Sequence, residues 1–170
     1  MKYMTNLETK RAIELINNNE IVILPTDTIY GISAKVSEEN RLKINRLKES
    51  ELDKPLIILV SSLEQAEKFI ELSDKAIEFL NKTYPTTVIE YNKEKTKKNA
   101  VRLVKREDLV EVINQTGPIF STSVNKTGQN FLSSLDEFKK FLNQDGIFWS
   151  GELSKNPSNI VDLTTNEKKR

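Results

Sequence analysis

Hydrophobic residues along this chain follow two alternating spacings, separated by polar turns. Runs of consecutive aliphatic residues are typical of buried strands, whereas apolar residues three or four positions apart indicate one face of a helix. The runs predict strands at 21–24, 56–60, 86–91, 100–104 and 119–124, with two last strands around 147–149 and 159–163. The wider spacing predicts helices at 37–48 and 75–81, a helix that ends at Gly117, and helices opened by Thr5, Ser62 and Ser134. This alternation with short connections predicts an α/β fold.

Length and hydropathy favour one soluble domain. At 170 residues, with no internal repeat and no linker, the chain is expected to form a single domain over 1–170. Its charged end, 164–170, is expected to be frayed. The longest apolar run is too short to span a bilayer, and the amino-terminal segment lacks the apolar core of a signal peptide. We therefore expect a cytoplasmic protein that does not contact a membrane.

Composition excludes several kinds of chemistry. The chain contains no Cys and no His, which excludes disulfides, thiolate nucleophiles, Ser-His-Asp triads and zinc sites built on those ligands. With 26 basic and 25 acidic residues, the net charge of +1 argues against a general nucleic-acid-binding surface. Neither a P-loop motif nor a GxGxxG motif is present. Any reaction must therefore rely on Lys, Arg, carboxylates, hydroxyls, backbone amides or a metal carried by the substrate.

Four polar clusters fall at the ends of predicted strands. They are residues 26–30, the pair Lys48 and Lys54, the lone Arg102, and residues 121–125. Each has an ordinary explanation when taken alone, since turns are polar, surface lysines are solvated and a lone arginine in a short strand usually points to water. Together they supply positive charge, hydroxyls and backbone amides, which are the groups that bind phosphate or carboxylate oxygens. The clusters therefore predict an anion pocket.

The order and spacing of six motifs carry a resemblance to a known family. They are PTDTIYG at 25–31, DKPLIILV at 53–60, PTTVIEY at 85–91, VRLV at 101–104, STSVNKTG at 121–128 and PSNIVDL at 157–163. In this order they resemble the YrdC-like threonylcarbamoyl-AMP synthase family, over nearly the whole chain. The resemblance implies a single-domain open twisted mixed sheet flanked by helices, with a deep basic cavity.

The activity implied by the resemblance is that of a nucleotidyltransferase. Members condense L-threonine, bicarbonate or CO₂, and ATP to threonylcarbamoyl-AMP and pyrophosphate, and the product serves threonylcarbamoyladenosine modification of tRNA. Mg²⁺ is expected to arrive with ATP, and no protein metal ligand is expected. Possible further partners are tRNA and the enzymes that transfer the threonylcarbamoyl group.

The resemblance also implies the site residues. Those expected to bind L-threonine are Thr28, Tyr30, Arg102, Ser121 and Ser158. Those expected to bind ATP are Lys48, Ser50, Lys54, Ser123 and Asn125. Lys48 and Arg102 are the expected catalytic residues, Lys48 at the phosphates and Arg102 at the threonine carboxylate, because a guanidinium can bind a carboxylate bidentately.

Three positions depart from the family pattern, and they affect most the part of the site that is expected to bind the ATP phosphates, which we call the phosphate end. Ser50 stands where the family usually has Arg, Leu59 stands where His is common, and residues 82–85 replace a Trp-Pro-Gly-Pro segment. Losing one charge-assisted contact costs about 1.5–3 kcal/mol, which weakens a site without abolishing it. Two other hypotheses therefore stay open, namely a non-catalytic YrdC-like protein that binds RNA or the ribosome, and a paralogue that acts on another carbamate or nucleotide.

Overall fold

The computed structural model of the protein describes residues 2–51 and 55–170. The helices are α1 Asn6–Asn17, α2 Glu38–Leu47, α3 Leu63–Glu67, α4 Asp74–Leu80, α5 Glu107–Thr116 and α6 Leu135–Phe138, followed by a short 3₁₀ turn, Gln144–Gly146. The strands are β1 Val22–Leu24, β2 Gly31–Lys35, β3 Ile57–Val60, β4 Thr86–Tyr91, β5 Lys98–Leu103, β6 Ile119–Ser123, β7 Asn159–Asp162 and β8 Glu167–Lys168.

The strands form one eight-stranded sheet in the order β1-β2-β6-β3-β5-β4-β7-β8. The pairs β3–β5 and β4–β7 are parallel, and the other neighbouring strands are antiparallel. The expected open mixed sheet flanked by helices is therefore confirmed. Within the described ranges, no helix is long and apolar enough to cross a membrane.

Local sequence signals explain where most helices begin. Thr5 caps α1 through a capping box, in which its hydroxyl accepts from the amide of Glu8 and the Glu8 carboxylate accepts from the amide of Thr5. Ser62 and Ser134 cap α3 and α6 with their hydroxyls, as their spacing predicts. Helix α6 ends after one turn, however, so the predicted longer helix after Ser134 is only partly formed.

Two hydrophobic clusters pack on opposite faces of the sheet. Side chains alternate between faces along each strand. Ile58 and Val101 therefore belong to the cluster that includes Phe138 of α6, whereas Leu59 belongs to the cluster under α1 and α5. Arg102 of β5 pairs with Leu59, so its side chain emerges on the α1/α5 face. The site described below lies on that face.

Three sequence-based expectations differ from the structure. Strand β2 was not predicted, because Gly31, Ser33 and Lys35 interrupt its hydrophobic pattern; it is buried because β1 and β6 enclose it. The predicted strand at 147–149 is only an isolated bridge, in which Ile147 pairs with Ile23. The expected frayed tail at 164–170 is wrong, since β8 pairs with β7 and the Lys169 amide donates to the Ile160 carbonyl at 2.7 Å.

We predict that the amides of Ile160 and Lys169 exchange slowly with deuterium, because each hydrogen-bonds across the β7–β8 hairpin. Hydrogen exchange followed by two-dimensional NMR measures this directly. The amide of Val104, which donates to the Val60 carbonyl at 2.9 Å, is the slow reference. Exchange of Lys169 at the rate of an unfolded peptide would show that the tail is frayed after all.

Candidate active site

The loop between β1 and β2 carries the first predicted cluster. The Thr26 hydroxyl donates to the Ile29 carbonyl at 2.5 Å and accepts from the Thr28 amide at 3.1 Å. These bonds form a compact turn after Pro25, so both threonine side chains are buried although they are polar. The turn presents the Thr28 hydroxyl to β5.

Arg102 is the central charged group of the site. It is 4% exposed, and its Nη1 donates to the Thr28 hydroxyl at 3.2 Å. None of the described carboxylates forms an ion pair with it, and its buried Nε has no hydrogen-bond acceptor. Burial lowers the pKa of Arg102 to about 10, an effect that the nearby Asp27 opposes. The guanidinium is therefore still charged at neutral pH and can accept an anionic ligand.

A cavity of about 110 Å³ opens beside this guanidinium. Its lining combines two arginines, several hydroxyl-bearing side chains and a few apolar contacts. The lining residues are Thr28, Ile29, Tyr30, Gly31, Ile57, Arg102, Ser121, Thr122, Ser123, Pro157, Ser158 and Arg170. All five residues expected to bind threonine lie in this lining, and these five come from four separate segments of the chain. The family's deep basic cavity stays a prediction.

Ser158 is held at the cavity by neighbours that sequence reasoning did not identify. Its hydroxyl lies 2.8 Å from the Thr87 hydroxyl, and Arg170 donates through Nε to the Ser158 carbonyl at 2.7 Å. Nη2 of Arg170 also reaches the Ser158 hydroxyl at 3.3 Å. Arg170 lies in the segment expected to be frayed, so no local signal marked it; the β7–β8 hairpin brings it to the cavity.

Gly31 and Ser121 approach one another so closely that a larger residue at position 31 would displace the Ser121 hydroxyl. A β-carbon at Gly31 would lie 2.1 Å from Oγ of Ser121, well inside van der Waals contact. The two residues lie on neighbouring strands, since Ser121 in β6 pairs with Ser33 in β2. The glycine in PTDTIYG therefore makes room for a hydroxyl of the cavity wall.

Tyr30 lies in the cavity lining, but its ring packs against Phe138 and Trp149 in the cluster on the other face of the sheet. The ring stacks on Trp149 with a centroid distance of 4.9 Å and an interplanar angle of 6°. The hydroxyl donates to the Gly151 carbonyl at 2.6 Å and accepts from the Ser150 amide at 2.8 Å. In this arrangement Tyr30 holds the 149–151 segment beside the start of β2.

Three of the residues expected to bind ATP form a second, adjoining group. Lys48 is buried, and its Nζ donates to the Ser123 carbonyl at 2.6 Å and to Oδ1 of Asn125 at 3.3 Å. The Asn125 amide group donates onward to the carbonyls of Lys126 and Gln129. Ser123 also lines the cavity, whereas Lys48 does not, so Ser123 joins the two groups.

The remaining two residues expected to bind ATP are Ser50, which the structure describes, and Lys54. The Ser50 hydroxyl contacts the Thr127 hydroxyl, and the Thr127 amide donates to the Lys48 carbonyl at 2.8 Å. Ser50 therefore lies beside the turn that follows β6. Lys54 lies outside the described residues.

The family model for the Sua5/YciO/YrdC domain, which carries the description telomere recombination, matches residues 14–170. The chain belongs to this family. The membership expected from the six sequence motifs is confirmed, and the match covers every residue of the site described above.

Relatives of this Sua5/YciO/YrdC chain include two named threonylcarbamoyl-AMP synthases. The one from Hydrogenovibrio crunogenus is 28% identical over 146 residues, which cover 76% of this chain and 78% of the relative. The one from Klebsiella pneumoniae is 26% identical over 173 residues, covering 92% of this chain and 91% of the relative.

A solved structure, P. abyssi Sua5 complexed with L-threonine, matches with a TM-score of 0.84 at 24% identity. The match covers 96% of this chain and 53% of the Sua5 chain, so this chain spans about half of that Sua5's length. At this identity the likeness shows the fold.

We predict that Gly31→Ala distorts the site by displacing the Ser121 side chain. Thermal unfolding should occur at a lower temperature than in the wild type, because the new methyl group and Ser121 Oγ cannot both keep their positions. Circular dichroism measures the unfolding midpoint.

The matched control is the double variant Gly31→Ala/Ser121→Ala. Once Oγ is removed, the nearest remaining neighbours of the new methyl group, at 3.4 and 3.5 Å, are ordinary contacts. The second substitution should therefore restore most of the stability lost in the first. Equal destabilisation by Gly31→Ala in both backgrounds would contradict the close approach described here.

Proposed function

We propose that this protein is a threonylcarbamoyl-AMP synthase, which condenses L-threonine, bicarbonate or CO₂, and ATP to threonylcarbamoyl-AMP and pyrophosphate. The observation that carries the proposal is the buried Arg102, which faces a small hydroxyl-lined cavity without pairing with any described carboxylate. A buried cation is costly unless an anion compensates it, and the carboxylate of an amino acid would do so. The names of the relatives support the same activity.

The threonine end of the proposed site uses the cavity lining. Arg102 would bind the carboxylate through the part of its guanidinium that lines the cavity. Hydroxyls of Thr28, Ser121 and Ser158 would bind the remaining polar atoms of threonine. A volume of about 110 Å³ suits a molecule of amino-acid size rather than a whole nucleotide. ATP would therefore extend from the cavity towards the Lys48 group.

The ATP end of the proposed site is formed by the second group. Ser123 borders both ends, and Asn125 holds the turn behind it. Lys48 would reach a phosphate by exchanging its present acceptors, and otherwise stabilises this turn. Ser50 and Lys54 complete the proposed set of ATP-binding residues. Lys54 is included on the basis of the sequence alone. ATP would bring its own Mg²⁺ to this end of the site.

The chemistry we propose depends on positioning. The amine of threonine attacks CO₂ to form a carbamate and releases a proton to solvent. A carbamate oxygen then attacks the α-phosphorus of ATP; the new P–O bond forms as the bond to the bridging oxygen breaks, and pyrophosphate leaves with the electron pair. Holding the reactants together and neutralising phosphate charge lowers the barrier without a protein nucleophile. A chain without His or Cys can therefore support this reaction.

The proposed product would be consumed in tRNA modification. A mixed carbamic–phosphoric anhydride is reactive, so a transfer enzyme that places the threonylcarbamoyl group on adenosine must accept it promptly. We expect both steps in the cytoplasm, where ATP and tRNA are available.

We predict pyrophosphate release that requires both threonine and bicarbonate. A coupled pyrophosphate assay with each substrate omitted in turn measures it, and release independent of threonine would contradict the proposal. Arg102→Met is the informative variant, since it should abolish threonine-dependent release while leaving the protein equally or more stable, because the buried charge is removed. Loss of activity together with unfolding would leave the carboxylate role of Arg102 unsupported.

A non-catalytic binding role is the second candidate, and the phosphate end favours it. Lys48 is engaged by protein acceptors, and Ser50 supplies no charge where the family usually has Arg.

We predict that Ser50→Arg raises ATP affinity about tenfold or more, because it adds a charge-assisted contact to the phosphates. Titration with a fluorescent ATP analogue measures the affinity, and Ser50→Gln, which is similar in length but uncharged, is the control. No gain with Ser50→Arg, in a chain that also releases no pyrophosphate, would favour the binding role.

A further inference from the structure

Asp27 is the charged member of the PTDT turn, and the proposed function gives it no role. Its carboxylate does not line the cavity beside Arg102. Oδ2 instead accepts from the backbone amide of Lys105 at 2.8 Å, and Oδ1 accepts from the amide of Arg106 at 2.9 Å. Hydrogen bonds from amides to an ionised acceptor are stronger than those between neutral groups. Asp27 therefore ties the β1–β2 loop firmly to the segment that joins β5 to α5.

The same two segments also meet at the anion site. Thr28 follows Asp27 directly, and Arg102 lies three residues before Lys105. The contact from Arg102 Nη1 to the Thr28 hydroxyl, at 3.2 Å, is thus a second connection between the loop and the end of β5. If the Asp27 connection is lost, the loop can move away from β5, and Thr28 moves with it.

The charge of Asp27 also acts on the site from a distance. Asp27 is the nearby carboxylate that opposes the effect of burial on the pKa of Arg102. Its oxygens are occupied by the two amides, and it forms no ion pair with the guanidinium. The positive charge is thereby stabilised while the Nε–H of Arg102 stays without an acceptor. A direct ion pair would instead compete with the carboxylate of an incoming ligand.

We propose that Asp27 is a positioning residue for the anion site, which holds Thr28 against Arg102 and places a negative charge near the guanidinium without pairing with it. The role in threonine binding rests on the proposed function, whereas the positioning of Arg102 does not. Asp27 does not touch the ligand; it acts through the two groups that do.

The test compares Asp27→Asn with Glu8→Gln. Both changes replace a carboxylate that accepts from the backbone, from two amides at Asp27 and from the Thr5 amide at 2.9 Å at Glu8, which belongs to the α1 capping box outside the cavity lining. Both variants should lose a similar, modest amount of stability. Only Asp27→Asn should affect Arg102.

The first readout is the Arg102 Nε–H signal of the unliganded protein, recorded by two-dimensional NMR and assigned with Arg102→Lys. In the wild type and in Glu8→Gln this buried proton should exchange slowly with water, and in Asp27→Asn it should exchange at least several-fold faster. An unchanged signal in Asp27→Asn overturns the inference. This readout needs no substrate, so it is independent of the proposed function.

The second readout is binding of L-threonine and of ATP, each measured by isothermal titration calorimetry. Losing a charge-assisted positioning contact should raise the threonine dissociation constant about ten- to a hundred-fold in Asp27→Asn. The ATP dissociation constant should change much less. A purely structural role would weaken both ligands alike and would overturn the inference. If the wild type binds no threonine but the NMR signal responds, the proposed function fails while the positioning role stands.

Discussion

A buried guanidinium that pairs with no described carboxylate is the constraint around which this protein is organised. Moving a charge out of water costs free energy unless protein groups or a ligand compensate it. Here the Thr28 hydroxyl accepts one hydrogen bond from Arg102, and the negative charge of Asp27 stabilises the guanidinium from a distance. Nε of Arg102 stays without an acceptor. The uncompensated part of that cost is what a bound carboxylate would recover. In the proposed function, the buried charge lowers stability at the position where a carboxylate would bind.

This arrangement is possible because β5 is an inner strand of the sheet, with a neighbouring strand on each side. Strands β3 and β4 flank β5, and the alternation of side chains places Arg102 on the same face as the apolar cluster under α1 and α5. Beyond that cluster the face becomes polar, with Thr87 opposite Arg102. Apolar packing therefore anchors one part of the face, and the adjoining part is free to bind a ligand.

Loops complete the site, and each is fixed by a small number of strong contacts. Tyr30 holds the 149–151 segment, Lys48 holds the turn after β6, and Asp27 holds the turn before β2. In all three cases a residue from a polar cluster of the sequence contacts backbone groups.

The sequence by itself determined most of the secondary structure and the family, and it singled out five residues that share one cavity lining, because hydrophobic spacing, capping residues and motif order are local properties. It missed β2, whose strand character comes from enclosure between β1 and β6 and not from its own pattern. Only the tertiary structure decided that Arg170 reaches the cavity, that Lys48 is engaged by Ser123 and Asn125, and that Gly31 makes room for Ser121. These three features depend on pairing between segments far apart in the chain, and a local pattern carries no information about which distant groups will share one buried space.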